Sequence, residues 1–460
     1  MLYNYQFAQR SIMKRLFGTD GVRGKAGEFP LDDKTVSIIG ASLARQLKRG
    51  DGKTPRIVTG RDTRQSGAQI ESAFHAGAQS EGAECLSAAV ITTPGVAYLT
   101  RTHGFDAGVV ISASHNPFED NGLKIFTPTG RKADEATERA IEADIAAGKT
   151  AEDALDTKVD DAEAGRFDRD YLEHLASGFP RLQLSGKRIV VDCANGAACH
   201  LAPELLARFG ADVVAINNQP DGRNINENCG SLHLDLLQAA VLEQKADLGV
   251  AFDGDADRSL FVDERGAIVD GDAVLWIMAN FLFDHGRLAN GKVVSTVMSN
   301  IGLELALRSK GIELVRTAVG DKYVLDELLS SGSEIGGEQS GHIIFPDKSI
   351  VGDGMLTTLF VLEAMFERRA SAFSELLQGF TTYPQILVNV KVREKRPFDE
   401  VAAIAHSARA IEGELAGTGR LLLRYSGTEN LARVMIEGKD QNSITDQANR
   451  LAEVIRTSLN

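Results

Sequence analysis

Residues 107 to 126, AGVVISASHNPFEDNGLKIF, and 250 to 258, VAFDGDADR, carry the side chains needed to move a phosphoryl group. In the first, an apolar run through Val109, Val110 and Ile111 stops at Ser112 and Ser114; His115-Asn116-Pro117 follow, and then Lys124. In the second, an apolar run delivers Asp253, Asp255 and Asp257 at alternate positions, with Arg258 directly behind. A serine hydroxyl can carry phosphate, and three carboxylates can hold a hard cation. Local chemistry does not choose between the two serines. Three oxygen ligands that leave positions for phosphate oxygens suit Mg²⁺. Counted from Asp253, Glu264 takes the twelfth place of a calcium EF-hand loop, but Arg258 stands where that loop needs glycine, and strands are expected to flank it. No G-x-S-x-G elbow surrounds either serine, which disfavours a hydrolase triad. The SASHNP segment is expected on an exposed strand-to-helix turn.

Four further stretches combine glycines with polar groups. GTDGVRG (18–24) and GRDTRQSG (60–67) bring Arg23, Arg61 and Arg64 to loops whose backbone N–H groups can approach an anion. GGEQSGH (336–342) sets Glu338, Ser340 and His342 on a tight loop with donors and acceptors for sugar hydroxyls. RYSGTEN (424–430) follows three leucines and offers Arg424, Ser426, Gly427 and Thr428 as a phosphate nest. Each, taken singly, also reads as an ordinary turn.

The elements that must position these groups follow from periodicity. RIVTG (56–60), DAGVVIS (106–112), KRIVVDC (187–193), ADVVAI (211–216), ADLGVAF (246–252) and KVVSTVM (292–298) read as buried strands, and 66–80 and 201–209 as helices. Such alternation means an α/β protein with parallel pairing and crossover helices, whose ligands gather at the carboxyl ends of strands. The Ala- and acid-rich stretch from Lys132 to Gly165 reads as an amphipathic helix running into a solvated linker, and FVDERG as a hairpin turn closing a second unit near 265. From about Tyr383 the order changes to an alternating strand QILVNVKV, a helix over 398–416, and strands RLLLRYSG and ARVMIEG, an α+β pattern with an antiparallel sheet.

The chain has 460 residues, too many for one core, and its 43% hydrophobic and 25% charged content is that of a globular enzyme. A net charge of −14 argues against nucleic-acid and anionic-membrane partners, so an anionic substrate needs a locally basic cleft. Cys85, Cys193, Cys199 and Cys229 form no CxxC pair and suggest a reducing compartment, with a cytoplasmic location expected. The apolar run LWIM (275–278) is too short to span a membrane, and MLYNYQFAQRSIMKR lacks the apolar core of a signal peptide. Residues 1–12 are expected to be an extension without fixed structure, with translation starting at Met1 or Met13.

GTDGVRG, SASHNP, DGDADR, GEQSGH and RYSGTEN, together and in this order, resemble the α-D-phosphohexomutase superfamily from about Lys14 to the C-terminus. FGTDGVRG, GEQSGH in place of a methionine variant, RTAVGDKYV (316–324) and VGDGMLT (351–357) are similar to its phosphoglucosamine mutase branch. The resemblance implies three tandem α/β domains with mixed, largely parallel sheets and a smaller C-terminal α+β domain, arranged around a central cleft. These are a phosphoserine domain (13–165), a metal-binding domain (166–265), a sugar-binding domain (266–380) and a phosphate-binding domain (381–460). It implies an isomerase, an intramolecular phosphotransferase, that interconverts glucosamine 6-phosphate and glucosamine 1-phosphate in the supply of amino-sugar and cell-wall precursors. The route runs through a phosphoserine and a 1,6-bisphosphate sugar, which serves as intermediate and activator.

The same resemblance selects Ser114 as the phosphoserine and gives Mg²⁺ to Asp253, Asp255, Asp257 and the Ser114 phosphate. It gives the substrate to His115, Asn116, Glu338 and Ser340, and the phosphate that is not reacting to Arg424, Ser426, Gly427 and Thr428. Lys124 and His342 are the candidates for proton handling, with Arg23 tuning Lys124, while Arg258 offsets charge on the moving group. The expected partner is a hexosamine phosphate; a homodimer is compatible with the sequence. The chain departs from the pattern at Ala256, where glycine is usual, and at Tyr425 and Asn430, where lysine and proline are more frequent. Rival readings are a phosphomannomutase/phosphoglucomutase of the same superfamily, a Mg²⁺-dependent sugar phosphatase with an aspartyl nucleophile, and a silent sugar-phosphate-binding paralogue.

Overall fold

The computed structural model describes residues 15–18, 20–48, 52–149, 159–426 and 429–459. The expected extension over residues 1–12 lies outside them, as do Gly427 and Thr428. The chain groups into two compact units, one of residues 1–268 with 347–366, the other of 269–346 with 367–460.

The first unit holds two sheets among its described residues. One has the strand order Phe17–Gly18, Gly21–Lys25, Asp120–Phe126, Ala107–Ile111, Arg56–Arg61, Glu84–Val90. Arg56–Arg61 runs parallel to both of its neighbours, whereas Asp120–Phe126 returns antiparallel to Ala107–Ile111. The expected strands RIVTG and DAGVVIS are therefore central, and residues 57–60 and Ala107–Ile111 are buried, as a strand covered on both faces requires. Helices Asp33–Leu47 and Gly67–Ser80 pack on this sheet, burying Val36, Ile39, Leu43 and Phe74 with Ile57, Val109, Ile111 and Leu123.

The second sheet has the order Ile268–Val269, Ser259–Asp263, Leu248–Phe252, Arg188–Asp192, Asp212–Ile216. Its last three strands are parallel, and Ser259–Asp263 folds back antiparallel on Leu248–Phe252 with Ser259 opposite Phe252. The turn expected at FVDERG is present: Asp263 N–H donates to the Ala267 carbonyl at 2.9 Å.

In the second unit, Glu313–Thr317, Lys292–Thr296, Gly336–Gly337 and Ile343–Ile344 form a mixed sheet. Gln385–Lys391, Leu431–Glu437 and Arg420–Tyr425 form an antiparallel one. The alternation read in QILVNVKV turns Ile386, Val388 and Val390 onto a core built with helices Ala402–Leu415 and Gln441–Leu459. The helix expected over 398–416 starts at Ala402, after a 3₁₀ turn at Phe398–Glu400 that follows Pro397. Among the described residues no helix is long and apolar enough to cross a membrane.

Candidate phosphoryl-transfer site

Two hairpin connections in the first unit bring the serine and the aspartates together. Ser112 to Glu119 link two antiparallel strands, so the expected strand-to-helix turn is instead a strand-to-strand loop. Its serines are also buried rather than exposed, with Ser114 at 1% accessibility. The reason is the second connection, 253–258, which lies directly on it. A Cβ at Gly254 would sit 2.5 Å from the Ser114 carbonyl oxygen, so only glycine allows this approach. Ser114 itself adopts φ 54°, a left-handed conformation that costs a non-glycine residue about 1–2 kcal/mol and is held by its surroundings.

Those surroundings are specific. Ser112 Oγ accepts the Ser114 N–H at 2.9 Å, while Ser114 Oγ donates to Asp253 Oδ2 at 2.5 Å. The two serines thus do different work: one shapes the backbone, the other faces the aspartates. Arg64 donates to the carbonyls of Ser114 (3.2 Å) and Asn116 (2.5 Å) and pairs with Asp62, Arg64 and Asp62 both being buried. Asn226 Nδ2 reaches the same two carbonyls at 2.9 and 3.0 Å. Arg61 pairs with buried Glu71 at 3.0 Å. Arg64, expected as a fork for an anion, is therefore committed to the protein itself, since an arginine already satisfied by carboxylate and carbonyls has little left to offer phosphate, and Arg61 spends its Nε on Glu71.

Asp253, Asp255 and Asp257 are buried, and one oxygen from each lies within 4.8 Å of the others. Burial, and then Asp257 and Asp255 beside it, push the Asp253 carboxyl well above the usual carboxylate range. Asp255 Oδ1 is buried without a hydrogen-bond partner. Crowded carboxylates with an orphaned oxygen are what a divalent cation relieves, and the all-oxygen donor set suits a hard one; the cluster could hold such a metal.

Lys124, on the strand Asp120–Phe126, places Nζ 2.7 Å from Asp255, 3.1 Å from Asp20 and 3.3 Å from Asp257. Its burial opposes the charge, but Asp20, Asp255 and Asp257 prevail and hold its pKa well above the ordinary lysine value. In this arrangement it is a fixed ammonium. Arg23 pairs with Asp20 and reaches the Ala113 carbonyl at 3.4 Å. Burial works against the Asp20 carboxylate, yet Lys124 and Lys132 outweigh it and lower its pKa. Arg258 Nη1 lies 3.2 Å from His115 Nδ1, and Arg258 N–H donates to Asp253 Oδ1 at 3.2 Å. A guanidinium only donates, so Nδ1 accepts and the imidazole proton belongs on Nε2. Burial, and then the Arg258 charge, lower the His115 pKa, which keeps that ring neutral. Asn116 Nδ2 donates to Asp120 at 2.9 Å.

The remaining sequence candidates lie in the second unit. Glu338 to His342 form the tight loop between Gly336–Gly337 and Ile343–Ile344, closed by Glu338 N–H to the His342 carbonyl at 2.9 Å. Glu338 Oε1 accepts the Gly320 N–H at 3.1 Å, and Ser340 Oγ lies 3.4 Å from Glu338 Oε2. His342 is buried, with Nε2 3.8 Å from Asp321. Arg424, half-buried on Arg420–Tyr425, touches only Met298 Sδ at 4.0 Å and has no carboxylate partner among the described residues. Ser426 is buried, and its hydroxyl accepts the Glu429 N–H at 3.3 Å.

Sequence reasoning missed several contributors. Thr93 donates its hydroxyl to Asp255 Oδ2 (2.5 Å) and its N–H to the Asp255 carbonyl (2.9 Å). Asp20 and Asn226 were equally silent. TTPG at 92–95 did carry a signal, a threonine cap before a proline in the first helical turn; Asn226 carried none. Ala256, where the family pattern has glycine, sits at φ 55° and is fully buried.

The sequence matches the phosphoglucomutase/phosphomannomutase family throughout: α/β/α domain I over 14–152, domain II over 169–266, domain III over 270–383 and the C-terminal domain over 387–454. A phosphoglucosamine mutase of Solibacter usitatus is 49% identical over 97% of this chain and 100% of that protein. One from Deinococcus radiodurans is 47% identical over 96% of this chain and 98% of that protein. Among solved structures, a phosphoglucomutase/phosphomannomutase family protein of Burkholderia thailandensis shares the fold with a TM-score of 0.77 at 23% identity, covering 97% of this chain and 98% of that one. A serine facing buried aspartates, a lysine locked among them and a match in all four domains lead to one assignment: the chain belongs to the phosphoglucomutase/phosphomannomutase family, the α-D-phosphohexomutases, and is an enzyme of the isomerase class.

Proposed function

We propose that this enzyme interconverts glucosamine 6-phosphate and glucosamine 1-phosphate. The observation that carries the chemistry is Ser114 Oγ, 2.5 Å from Asp253 in a cluster of three buried aspartates. The choice of sugar is supported by relatives of 46–49% identity over nearly the whole chain that bear the name phosphoglucosamine mutase.

In this reading Ser114 carries the phosphoryl group, and Asp253, Asp255 and Asp257 hold Mg²⁺ together with that phosphate. The cation offsets negative charge on the phosphoryl oxygens. The group passes from Ser114 Oγ to the free sugar hydroxyl: the Ser114 Oγ–P bond breaks as the sugar O–P bond forms, and the proton given up by the sugar hydroxyl is balanced by one taken up at Ser114 Oγ. The resulting 1,6-bisphosphate reorients, and its other phosphate returns to Ser114. Lys124, held as an ammonium and tuned by Arg23 through Asp20, handles a proton, Arg258 offsets charge on the moving group, and Arg23 also reaches the loop carbonyl of Ala113. Neutral His115, with Asn116, faces the substrate phosphate. Glu338 and Ser340 read sugar hydroxyls, His342 handles a proton, and Arg424, Ser426, Gly427 and Thr428 grip the phosphate at rest. We assign these roles to domains bounded at about 13–165, 166–265, 266–380 and 381–460. A small anionic substrate, not nucleic acid, fits a net charge of −14 with Lys124, Arg23 and Arg258 gathered around Ser114 and the aspartates. Four free cysteines fit a cytoplasmic setting.

Turnover of glucosamine, glucose and mannose phosphates by the purified protein, followed by ³¹P NMR in the presence of a trace of bisphosphate, tests this. The glucosamine pair should have the highest kcat/KM. A higher value for glucose or mannose phosphates assigns the enzyme to the other branch of the family, and steady release of inorganic phosphate without isomerisation points to a phosphatase.

A further inference from the structure

Two helices begin on the backbone of the acidic loop. At the start of Thr93–Thr102, the Thr93 N–H donates to the Asp255 carbonyl at 2.9 Å. At the start of Gly354–Glu367, the Gly354 N–H donates to the Ala256 carbonyl at 3.0 Å, and a Cβ at 354 would fall 2.6 Å from the Arg258 carbonyl oxygen. The loop that carries three carboxylates thus rests its carbonyls on the positive ends of two helices.

Each helix has a side-chain cap. Thr92 Oγ1 accepts the Gly95 N–H at 3.2 Å, and Asp353 Oδ1 accepts the Leu356 N–H at 2.9 Å. One residue touches both caps. Tyr171, on the helix Ala164–Ser177, donates its hydroxyl to Asp353 Oδ2 at 2.7 Å, and the Thr92 side chain lies beside the same phenol and favours its charged form. Thr92, Tyr171 and Asp353 are 0%, 1% and 3% exposed. Burial raises the Asp353 carboxyl to about 6 and the Tyr171 phenol well above its ordinary value, so at neutral pH the phenol is the donor and the carboxylate the acceptor. The phosphoryl transfer described above uses none of the three.

We propose that Tyr171 is a positioning residue for the metal site: by joining the caps of the two helices it sets the spacing of their N-termini, and so holds Asp253, Asp255 and Asp257 around one cation. This rests on the metal-binding reading of that cluster. A residue that only filled space would stabilise the fold without tuning the loop; a tie between two caps transmits its loss to the two carbonyls that the helices grip. Partners beyond the ligand shell commonly change metal affinity about 10–100-fold, and a tie one step further out should change it less.

Mn²⁺ titration of the full-length protein by electron paramagnetic resonance, with thermal melts on the same samples, separates these cases. The wild type should bind one Mn²⁺, and Asp255→Asn should abolish that binding. Tyr171→Phe, which keeps the ring, should raise the Mn²⁺ Kd about three- to tenfold, and Asp353→Ala about tenfold or more. Asp353→Asn, which keeps an acceptor for the Leu356 N–H, should fall between Asp353→Ala and the wild type. Phe360→Leu loosens the same helix against Phe179, whose ring centroid lies 4.9 Å away, without touching a cap; it should lower the Tm and leave the Kd alone. A folded Tyr171→Phe protein with wild-type Kd overturns the proposal, as does a Phe360→Leu shift of equal size. If wild-type Mn²⁺ binding is insensitive to Asp255→Asn, the metal reading of the cluster is wrong and the proposal falls with it.

Discussion

The two halves of the candidate machinery are built to different standards of completeness. Around Ser114, the carbonyls of 114 and 116 are held by Arg64 and Asn226, and Lys124 is surrounded by three aspartates. In the second unit, Arg424 has a weak contact to a methionine sulfur, and the Ser340 hydroxyl reaches Glu338 only at 3.4 Å. Groups that transfer phosphate must stay in place through both steps, so their scaffold is prepaid in buried hydrogen bonds. Groups that grasp a ligand which turns over must let go, and a saturated arginine could not. Preorganisation belongs to the reacting atoms, and spare bonding capacity to the recognition of what moves.

The strongest way to break this contrast is Ser114→Ala. It should remove the phosphorylated species from the intact-mass spectrum and lower mutase turnover by at least about a thousandfold, whereas Ser112→Ala, which loses a tie to the Ser114 N–H and a contact to buried Asp62, should keep the phosphoprotein. Activity retained in the first and lost in the second would reassign the nucleophile. Next in size, Asp255→Asn should cut kcat about a hundred- to a thousandfold with little change in KM, because the cation acts on charge that develops during transfer. A pure KM effect would place Asp255 in recognition. Arg424→Ala should cost about 2–4 kcal/mol in kcat/KM and leak bisphosphate into solution, while leaving the phosphoserine intact. Wild-type kcat/KM without leakage would remove the arginine from the site. The smallest effect concerns the scaffold alone. Ala256→Gly relieves a left-handed alanine and should raise stability by up to about 1 kcal/mol, the gain being trimmed by the lost methyl and by chain entropy. A Tm several degrees lower would mean that the methyl packing outweighs the strain.

Much of this was legible in the chain because the informative groups are contiguous. Asp253, Asp255 and Asp257 share one six-residue connection, and the buried strands Ala107–Ile111 and Leu248–Phe252 announce themselves by uninterrupted apolar residues. What failed to show was everything decided by long-range return of the chain. The antiparallel strand Asp120–Phe126 carries lysine and asparagine into the core because Asp255 and Asp257 wait for the lysine there, and a polar pattern of that kind does not read as a buried strand. Arg61 and Arg64 looked like anion forks because their partners Glu71 and Asp62 lie close in sequence but carry no local sign of which way they face. Thr93, Asn226 and Tyr171 are ordinary residues made important only by what folds against them.

The contact between Gly354 and Ala256 also has a consequence for biosynthesis. Residues 347–366 belong to the first unit although they are made after the whole sheet that ends at Ile343–Ile344. The ribosome therefore releases the acidic loop roughly a hundred residues before the helix that receives it, an interval of about 5–20 s at the usual elongation rates. During that interval the loop has one of its two helical supports. Stalled chains ending with residue 346 outside the ribosome should be cut by protease near 253–258, and those exposing residue 366 should resist. Equal protection in both would show that the nascent loop closes without its second helix.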